Sequence, residues 1–182
     1  MSLPILKYSK SKVSKAGRTL VSFLSDQDKT LEPDDALNAI IILSNWRASH
    51  AYPLNTFQAT LRKKLKSIDS RAIVAQRLKR APSIIRKLLR YKNMQLGRMQ
   101  DIGGLRAVVS SLDKVWILEE NYRKSRFIHE LYSSKDYILS PKKSGYRSIH
   151  LVYKYINPIC PDYNGLFSKR VQYPAACGVI LF

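Results

Sequence analysis

The feature that most constrains the fold is a short apolar run, LeuArgAlaValVal at 105–109, which directly follows Gly103 and Gly104. A brief run rich in β-branched residues with glycines before it predicts a buried strand. Arg106 lies inside this run, and burying a guanidinium is costly unless it meets an anion. We therefore expect Arg106 to pair either with Asp101 or with the phosphate of a substrate.

Helical and strand-like segments alternate along the rest of the chain. The segments 72–76 and 148–156 are typical of strands. Apolar spacing and capping residues predict helices over 33–49, over 56–66 and over 82–91. Strands separated by helices predict an α/β or α+β domain, with a mixed β-sheet flanked by helices.

Pro53 marks the boundary between the first two predicted helices. We expect it to end the first helix and Asn55 or Thr56 to cap the second. The first 20 residues are rich in Ser and Lys, and we expect a loosely attached basic arm over 1–20.

Charge is concentrated in one part of the chain. The 182 residues carry a formal net charge of +19, and residues 61–100 alone hold 13 basic side chains against one acidic. This pattern favours an anionic partner, either nucleic acid or nucleotide, although a solvated basic helix face would look the same. No apolar run reaches the roughly 20 residues of a membrane span, and the first residues do not resemble an export signal. We therefore predict a cytoplasmic protein that has no membrane partner.

Several residues could bind phosphate, although the sequence has neither a GxxxxGK[ST] nor a GxGxxG motif. Arg77 and Lys79 alternate along a predicted strand, and Ser83 and Lys87 are four residues apart at a predicted helix start. Ser83 could equally be a simple helix cap. Asp101 is the only carboxylate between Asp69 and Asp113 and could hold magnesium, or could be an ordinary turn aspartate.

The turn at 141–150, ProLysLysSerGlyTyrArgSerIleHis, is the densest group of functional side chains. Lys142 is cationic, Gly145 permits close backbone approach, and Tyr146 offers a ring for stacking. His150 would face one side of the sheet, where it is either a site residue or a core histidine.

Three segments, at 77–90, 99–109 and 136–150, resemble in order and spacing the synthetase domain of the RelA/SpoT family. This resemblance implies a nucleotidyltransferase-like fold and transfer of pyrophosphate from ATP to the ribose 3′ hydroxyl of GDP or GTP, giving (p)ppGpp. The segment 45–57 is similar to stand-alone small alarmone synthetases. Some of these act as toxins in toxin–antitoxin pairs, and a few modify the 3′ end of tRNA.

The resemblance also implies roles for individual residues. Asp101 would bind Mg²⁺ and act in catalysis together with Arg106. The ATP phosphates would be held by Arg77, Lys79, Lys87 and Arg106, with Ser83 beside them. The acceptor nucleotide would meet Lys135, Lys142, Ser144, Tyr146 and His150, where Ser144 replaces the asparagine of many members.

The last part of the sequence departs from the family pattern. Members carry a Glu-x-Gln-x-Arg-Thr strand that supplies a second essential carboxylate, whereas this sequence has no glutamate after Glu130. Neither Asp162 nor Gln172 replaces it convincingly. We therefore predict a truncated or frameshifted reading frame after about Phe167, with the last strand and helix missing. The resemblance thus implies an incomplete synthetase domain over 21–167 and a divergent tail over 168–182.

This departure leaves several alternatives open. The chain is expected to be unstable alone or to oligomerise, and to have impaired synthetase activity. Alternative functions are a toxin-type pyrophosphokinase that acts on tRNA and an inactive remnant that binds nucleotide or RNA. The corresponding partners are ATP with GDP or GTP, tRNA, an antitoxin, and a second copy of the chain.

Overall fold

A computed structural model describes the backbone of residues 6–126, 128–156 and 172–181, and the side chains of the first two of these ranges. The helices in this part of the chain are α1 (Lys10–Leu24), α2 (Pro33–Ala48), α3 (Ala51–Ile68), α4 (Ala81–Arg90) and α5 (Leu112–Arg123), with a 3₁₀ turn at Leu96–Arg98. The strands are β1 (Ile73–Leu78), β2 (Gly103–Val108), β3 (Glu130–Asp136), β4 (Ile149–Ile156) and β5 (Gln172–Leu181).

These strands form one sheet in the order β1-β2-β5-β4-β3. β2 and β5 are parallel, while the other neighbouring pairs are antiparallel. The predicted mixed sheet flanked by helices is therefore confirmed. The prediction that the last strand is missing is wrong, because β5 lies between β2 and β4 in the sheet.

One face of the sheet is covered by α3 and α5. Along β4 every second residue is buried, and these residues share a core with Phe57, Leu61 and Leu118 of the two helices. The alternate residues of β2 and β4 point to the opposite face, where Arg106 and Val108 are exposed within the described part of the chain. Because strand side chains alternate between faces, this second face is the one available to ligands.

A second core joins α1, α2 and α4. The expectation of a loosely attached arm is wrong for residues 10–20, since Val13, Ala16 and Leu20 of α1 are almost fully buried there. Their spacing of three and four residues forms one helix face. Gly17 permits the close packing, because a Cβ at this position would lie only 2.8 Å from Cβ of Leu96. The division of the chain at residues 20 and 167 remains a prediction, and residues 157–171 lie outside the described part.

Two predicted helix boundaries are also wrong. Pro53 does not end α2; it lies in the first turn of α3, which begins at Ala51. A proline is tolerated there because the first helical N–H groups have no partner within the helix. Ser83 is not the cap of α4, because Arg80 occupies the N-cap position and Ser83 lies inside the first turn.

Asp69 joins the turn after α3 to the turn before α5. Its carboxylate accepts hydrogen bonds from the backbone N–H of Ser110 (2.8 Å) and of Arg71 (3.2 Å), and forms an ion pair with Lys114 (3.1 Å). The Ser110 N–H is the largest influence and holds the pKa of Asp69 well below its ordinary value of 3.8. Since the depressed pKa belongs to the folded state, this stabilisation is present above pH 3.8 and is lost as the pH falls below it.

We expect Asp69→Asn to lower the free energy of unfolding, because the amide loses the charge and must place its NH2 donor beside either the Ser110 N–H or the Arg71 N–H. Urea unfolding at pH 7 and at pH 3 measures this effect, and the difference from the unaltered chain should narrow at the lower pH. Asp113→Asn, at an exposed position in the first turn of α5, is the matched control. An equal loss at both pH values would contradict the assigned role of the Asp69 charge.

Candidate functional site

The first group of predicted site residues meets where β1 ends and β2 begins. Nζ of Lys79 lies 2.9 Å from Oδ2 of Asp101, and Nζ of Lys87 lies 2.9 Å from Oδ1 of the same carboxylate. Lys79 directly follows β1, and its backbone N–H donates to the carbonyl of Ile102 at 2.7 Å. Lys87 lies on α4. We call Lys79, Lys87 and Asp101 the carboxylate–lysine cluster.

The carboxylate of this cluster is charged at neutral pH. Burial raises the pKa of Asp101, but the hydrogen bonds from Lys87 and Lys79, with the positive charges of both, lower it below its ordinary value. The Asp101 side chain is nevertheless 46% exposed. Two ammonium groups and one carboxylate are therefore assembled at a position that a solvent-borne phosphate can reach.

Arginines of β1 and β2 extend this positive region along the open sheet face. Arg77 is paired with Gly104 across the β1–β2 register, and both Arg77 and Arg106 are exposed. The expectation that Arg106 is buried within its strand is wrong, because only the alternate residues of β2 face the core. The same alternation places Arg106 where a ligand on the open face can contact it.

The second group of predicted site residues surrounds the start of β4. Nε2 of His150 lies 2.9 Å from the hydroxyl of Tyr146. The Lys142 ammonium lies 5.1 Å from the Tyr146 ring centroid and 4.5 Å from that of Tyr137. The Tyr137 and His150 rings meet edge to face at 5.0 Å. We call Tyr137, Lys142, Tyr146 and His150 the aromatic cluster.

A tight turn places Lys142 and Tyr146 together. The N–H of Gly145 donates to the carbonyl of Lys142 at 2.8 Å, and the N–H of Lys142 donates to the carbonyl of Tyr146 at 3.3 Å. Gly145 has a φ of +79°, a backbone conformation that residues other than glycine rarely adopt. Ser144 is exposed within this turn.

His150 connects the aromatic cluster to the arginines electrostatically. Burial lowers the pKa of His150, and the positive charges of Lys142, Lys135 and Arg106 lower it further. Its imidazole is therefore neutral at pH 7. In the sheet register His150 is opposite Lys135 on β3 and opposite Ile180 on β5, and Ile180 is in turn opposite Arg106. One strand thus separates Arg106 from His150.

Sequence reasoning missed two residues that contact these clusters. Tyr137 belongs to the aromatic cluster, and its neighbour Asp136 accepts hydrogen bonds from the N–H groups of Ile138 (2.7 Å) and Leu139 (2.9 Å), which fixes the turn after β3. Arg47 contacts the backbone at Lys79. Tyr137 is an aromatic residue two positions after Lys135, on the same side of an extended strand, and this is a usable signal in the sequence. A contact to a backbone carbonyl, as made by Arg47, leaves no such pattern.

The comparisons with known proteins agree with this arrangement. Residues 76–164 match the family model described as the region found in RelA / SpoT proteins. This part of the chain is therefore similar to a RelA/SpoT region. Both clusters lie within the matched residues, together with Arg77 and Arg106.

Individual relatives of the RelA/SpoT region span only part of this chain. The GTP pyrophosphokinase YjbM of Bacillus subtilis is 38% identical over 86 residues, which are 45% of this chain and 39% of that protein. The probable chloroplastic GTP diphosphokinase RSH3 of Oryza sativa is 40% identical over 75 residues, which are 38% of this chain and 10% of that protein. This chain therefore spans less than half the length of either relative.

A solved structure confirms the fold around the RelA/SpoT region. The small alarmone synthetase 1 of Bacillus subtilis, bound to its product pppGpp, superposes with a TM-score of 0.57 and 26% identity. The match covers 72% of this chain and 67% of that chain. The small alarmone synthetase 2 of the same organism has a TM-score of 0.59 at 19% identity, covering 76% of this chain and 70% of that one, and supports the fold alone.

The carboxylate–lysine cluster offers a single carboxylate to Mg²⁺. Within residues 6–126 and 128–156 no three His, Cys, Asp or Glu side chains come together as a metal site. Asp101 alone is nevertheless suitable, because Mg²⁺ is commonly bound by one or two carboxylates together with substrate phosphates. Asp101 would thus supply one ligand to an ion that arrives with the nucleotide. Among the described helices, none is both long and apolar enough to span a membrane.

Proposed function

We propose that this chain binds ATP and a guanosine nucleotide on the open sheet face, and that its reaction is pyrophosphate transfer from ATP to the ribose 3′ hydroxyl of GDP or GTP. The observation that carries the proposal is the placement of two different clusters on this face. The carboxylate–lysine cluster suits a triphosphate, and the aromatic cluster suits a nucleobase. The names of the relatives, GTP pyrophosphokinase and GTP diphosphokinase, support this assignment.

The reaction requires little covalent chemistry from the protein. The 3′ oxygen of the acceptor attacks the β-phosphorus of ATP, the bond between that phosphorus and the α–β bridging oxygen breaks, and AMP leaves. The 3′ hydroxyl proton passes to a base. Lys79 and Lys87 would bind phosphate oxygens in place of Asp101, and Arg106 would stabilise the charge that develops between donor and acceptor. Mg²⁺, when bound, would supply further neutralisation of the phosphate charge.

The acceptor is positioned by the aromatic cluster. Tyr146 presents a ring for stacking of the guanine, and its hydroxyl is fixed by His150 at 2.9 Å. Lys142 already lies over the Tyr146 ring, so its ammonium is close to where acceptor phosphates would enter. Lys135, opposite His150 on β3, extends the same positive region.

The test is incubation of the full chain with Mg²⁺, ATP labelled at the γ-phosphate, and GDP, GTP or deacylated tRNA as separate acceptors. We expect both nucleotides to bind and label to appear slowly in GDP or GTP. The slow rate is expected because the sequence has no glutamate after Glu130, and loss of a required carboxylate commonly costs about a hundredfold or more.

Each alternative gives a different result in this assay. Label in tRNA alone would overturn the guanosine acceptor and support the toxin-type function. If neither ATP nor GDP binds to the chain, the proposal as a whole is overturned. Partnership with an antitoxin, self-association and the cytoplasmic location remain predictions.

Tyr137 gives a specific prediction for the acceptor half of the site. Tyr137→Leu should weaken GDP affinity about five- to tenfold, because the edge-to-face contact with His150 and the Lys142 contact are both lost. Tyr137→Phe keeps the ring and should retain nearly full affinity. Isothermal titration with GDP, and with ATP as the reference ligand, measures the difference. An equal loss of affinity for GDP and for ATP in Tyr137→Leu would indicate general misfolding instead.

A further inference from the structure

The sequence AsnTrpArgAlaSerHis at 45–50 has no role in the proposed reaction, yet the structure fixes it firmly. Trp46 is fully buried in the core shared by α1, α2 and α4. The carbonyl of Trp46 accepts the Ser49 hydroxyl at 2.8 Å and lies 2.7 Å from Nδ1 of His50. Oδ1 of Asn45 accepts the backbone N–H of Lys7 at 3.0 Å. The last turn of α2 is therefore anchored on several sides.

Arg47 extends from this anchored turn to the carboxylate–lysine cluster. Its Nε donates to the backbone carbonyl of Lys79 at 2.7 Å, in a partly buried contact between residues 32 positions apart. The N–H of Lys79 is held by the carbonyl of Ile102 at 2.7 Å. Both backbone polar groups of Lys79 are thus hydrogen-bonded, one to the start of β2 and the other to α2.

We propose that Arg47 is a positioning residue of the ATP-phosphate site, an inference that rests on the proposed function. By fixing the Lys79 carbonyl, Arg47 sets the direction of the chain between β1 and α4, and with it the position of the Lys79 ammonium 2.9 Å from Asp101. Arginine suits this task because it stays protonated and donates from a rigid plane. The anchored 45–50 segment holds the guanidinium in place.

A purely structural role predicts a different outcome from a positioning role. If Arg47 only stabilised the fold, its replacement would weaken the binding of all ligands to the same extent. If Arg47 positions Lys79, its replacement should lower the affinity for ATP and leave the affinity for the acceptor unchanged. The aromatic cluster, which would bind the acceptor, lies on β4 and on the turns beside it. The comparison of two ligands on one protein therefore distinguishes these roles.

The test uses the full chain with Arg47→Met and Arg47→Lys, titrated separately with a non-hydrolysable ATP analogue and with GDP. We expect Arg47→Met to weaken the ATP analogue about tenfold, as loss of one charge-assisted hydrogen bond would. GDP affinity should stay within about twofold of the unaltered chain. Arg47→Lys should recover only part of the loss, because lysine keeps the charge but not the planar donor. Arg62→Met, at an exposed position on α3, controls for the loss of one positive charge.

A double-mutant cycle with Lys79→Met completes the test. If Arg47 acts through Lys79, then Arg47→Met should cost less than about threefold in ATP affinity once Lys79 is absent. A full tenfold loss in that background, or equal loss of both ligands, would overturn the inference. ATP binding that Arg47→Met leaves unchanged would overturn this inference alone. No ATP binding by the unaltered chain would overturn the proposed function and this inference with it.

Discussion

Gly178→Glu is expected to raise the rate of pyrophosphate transfer by about a hundredfold or more, because it supplies the second carboxylate that the family resemblance calls for. Position 178 is opposite Gly104 on β2 and opposite Val152 on β4. Gly104 is in turn opposite Arg77, and β2 begins two residues after Asp101. Position 178 is therefore in register with residues of the open face and is close to the carboxylate–lysine cluster.

The measurement is the initial rate of label transfer from γ-labelled ATP to GDP, with and without Mg²⁺. Gly178→Gln is the matched control, since it adds nearly the same side chain without the charge and should leave the rate low. Adding Asp101→Asn to Gly178→Glu should remove the gain. If Gly178→Gln accelerates transfer as much as Gly178→Glu, the carboxylate is not the cause and the assignment of position 178 is wrong.

The combined variant Lys79→Met/Lys87→Met is expected to weaken ATP binding by about a hundredfold. Each lysine would make a charge-assisted hydrogen bond to phosphate, and such bonds contribute roughly 1.5–3 kcal/mol each. Part of this energy is offset because both ammonium groups must leave Asp101, from which each lies 2.9 Å away. Titration of the full chain with a non-hydrolysable ATP analogue measures the change.

The control removes two positive charges from a different surface. Lys63→Met/Lys66→Met changes two exposed lysines of α3, the helix that covers the other face of the sheet. It should alter ATP affinity by less than about threefold, as expected for charges that act only through the general field. A comparable loss in both double variants would show that net charge, rather than the carboxylate–lysine cluster, determines binding.

The sequence predicted those elements of the fold whose apolar pattern is local. β2 and β4 follow from short apolar or alternating runs, and α4 follows from one apolar and one basic face. α1 was missed because five basic side chains within residues 1–20 hid the apolar face formed by Val13, Ala16 and Leu20. β5 was missed because its place depends on pairing with β2 and β4, which are distant in sequence.

For the candidate site, the residue types were more predictable than their surroundings. Lys79, Lys87 and Asp101 were singled out from the sequence, and the structure brings them together. Their pairing could not be read from the sequence, because Asp101 is more than ten residues from either lysine. The exposure of Arg106 likewise depends on which sheet face α3 and α5 cover. The role of each residue in nucleotide binding remains a prediction.

The central position of β5 also has a consequence for how the protein folds. In the sheet, β1–β2 and β3–β4 are joined to each other only through β5 within the described residues. The carboxylate–lysine cluster belongs to the first pair of strands and the aromatic cluster to the second. During synthesis both pairs of strands can form before residues 172–181 leave the ribosome, but the strand that pairs with β2 and with β4 is then still absent. The distance between the two clusters is therefore set late, when β5 inserts between β2 and β4.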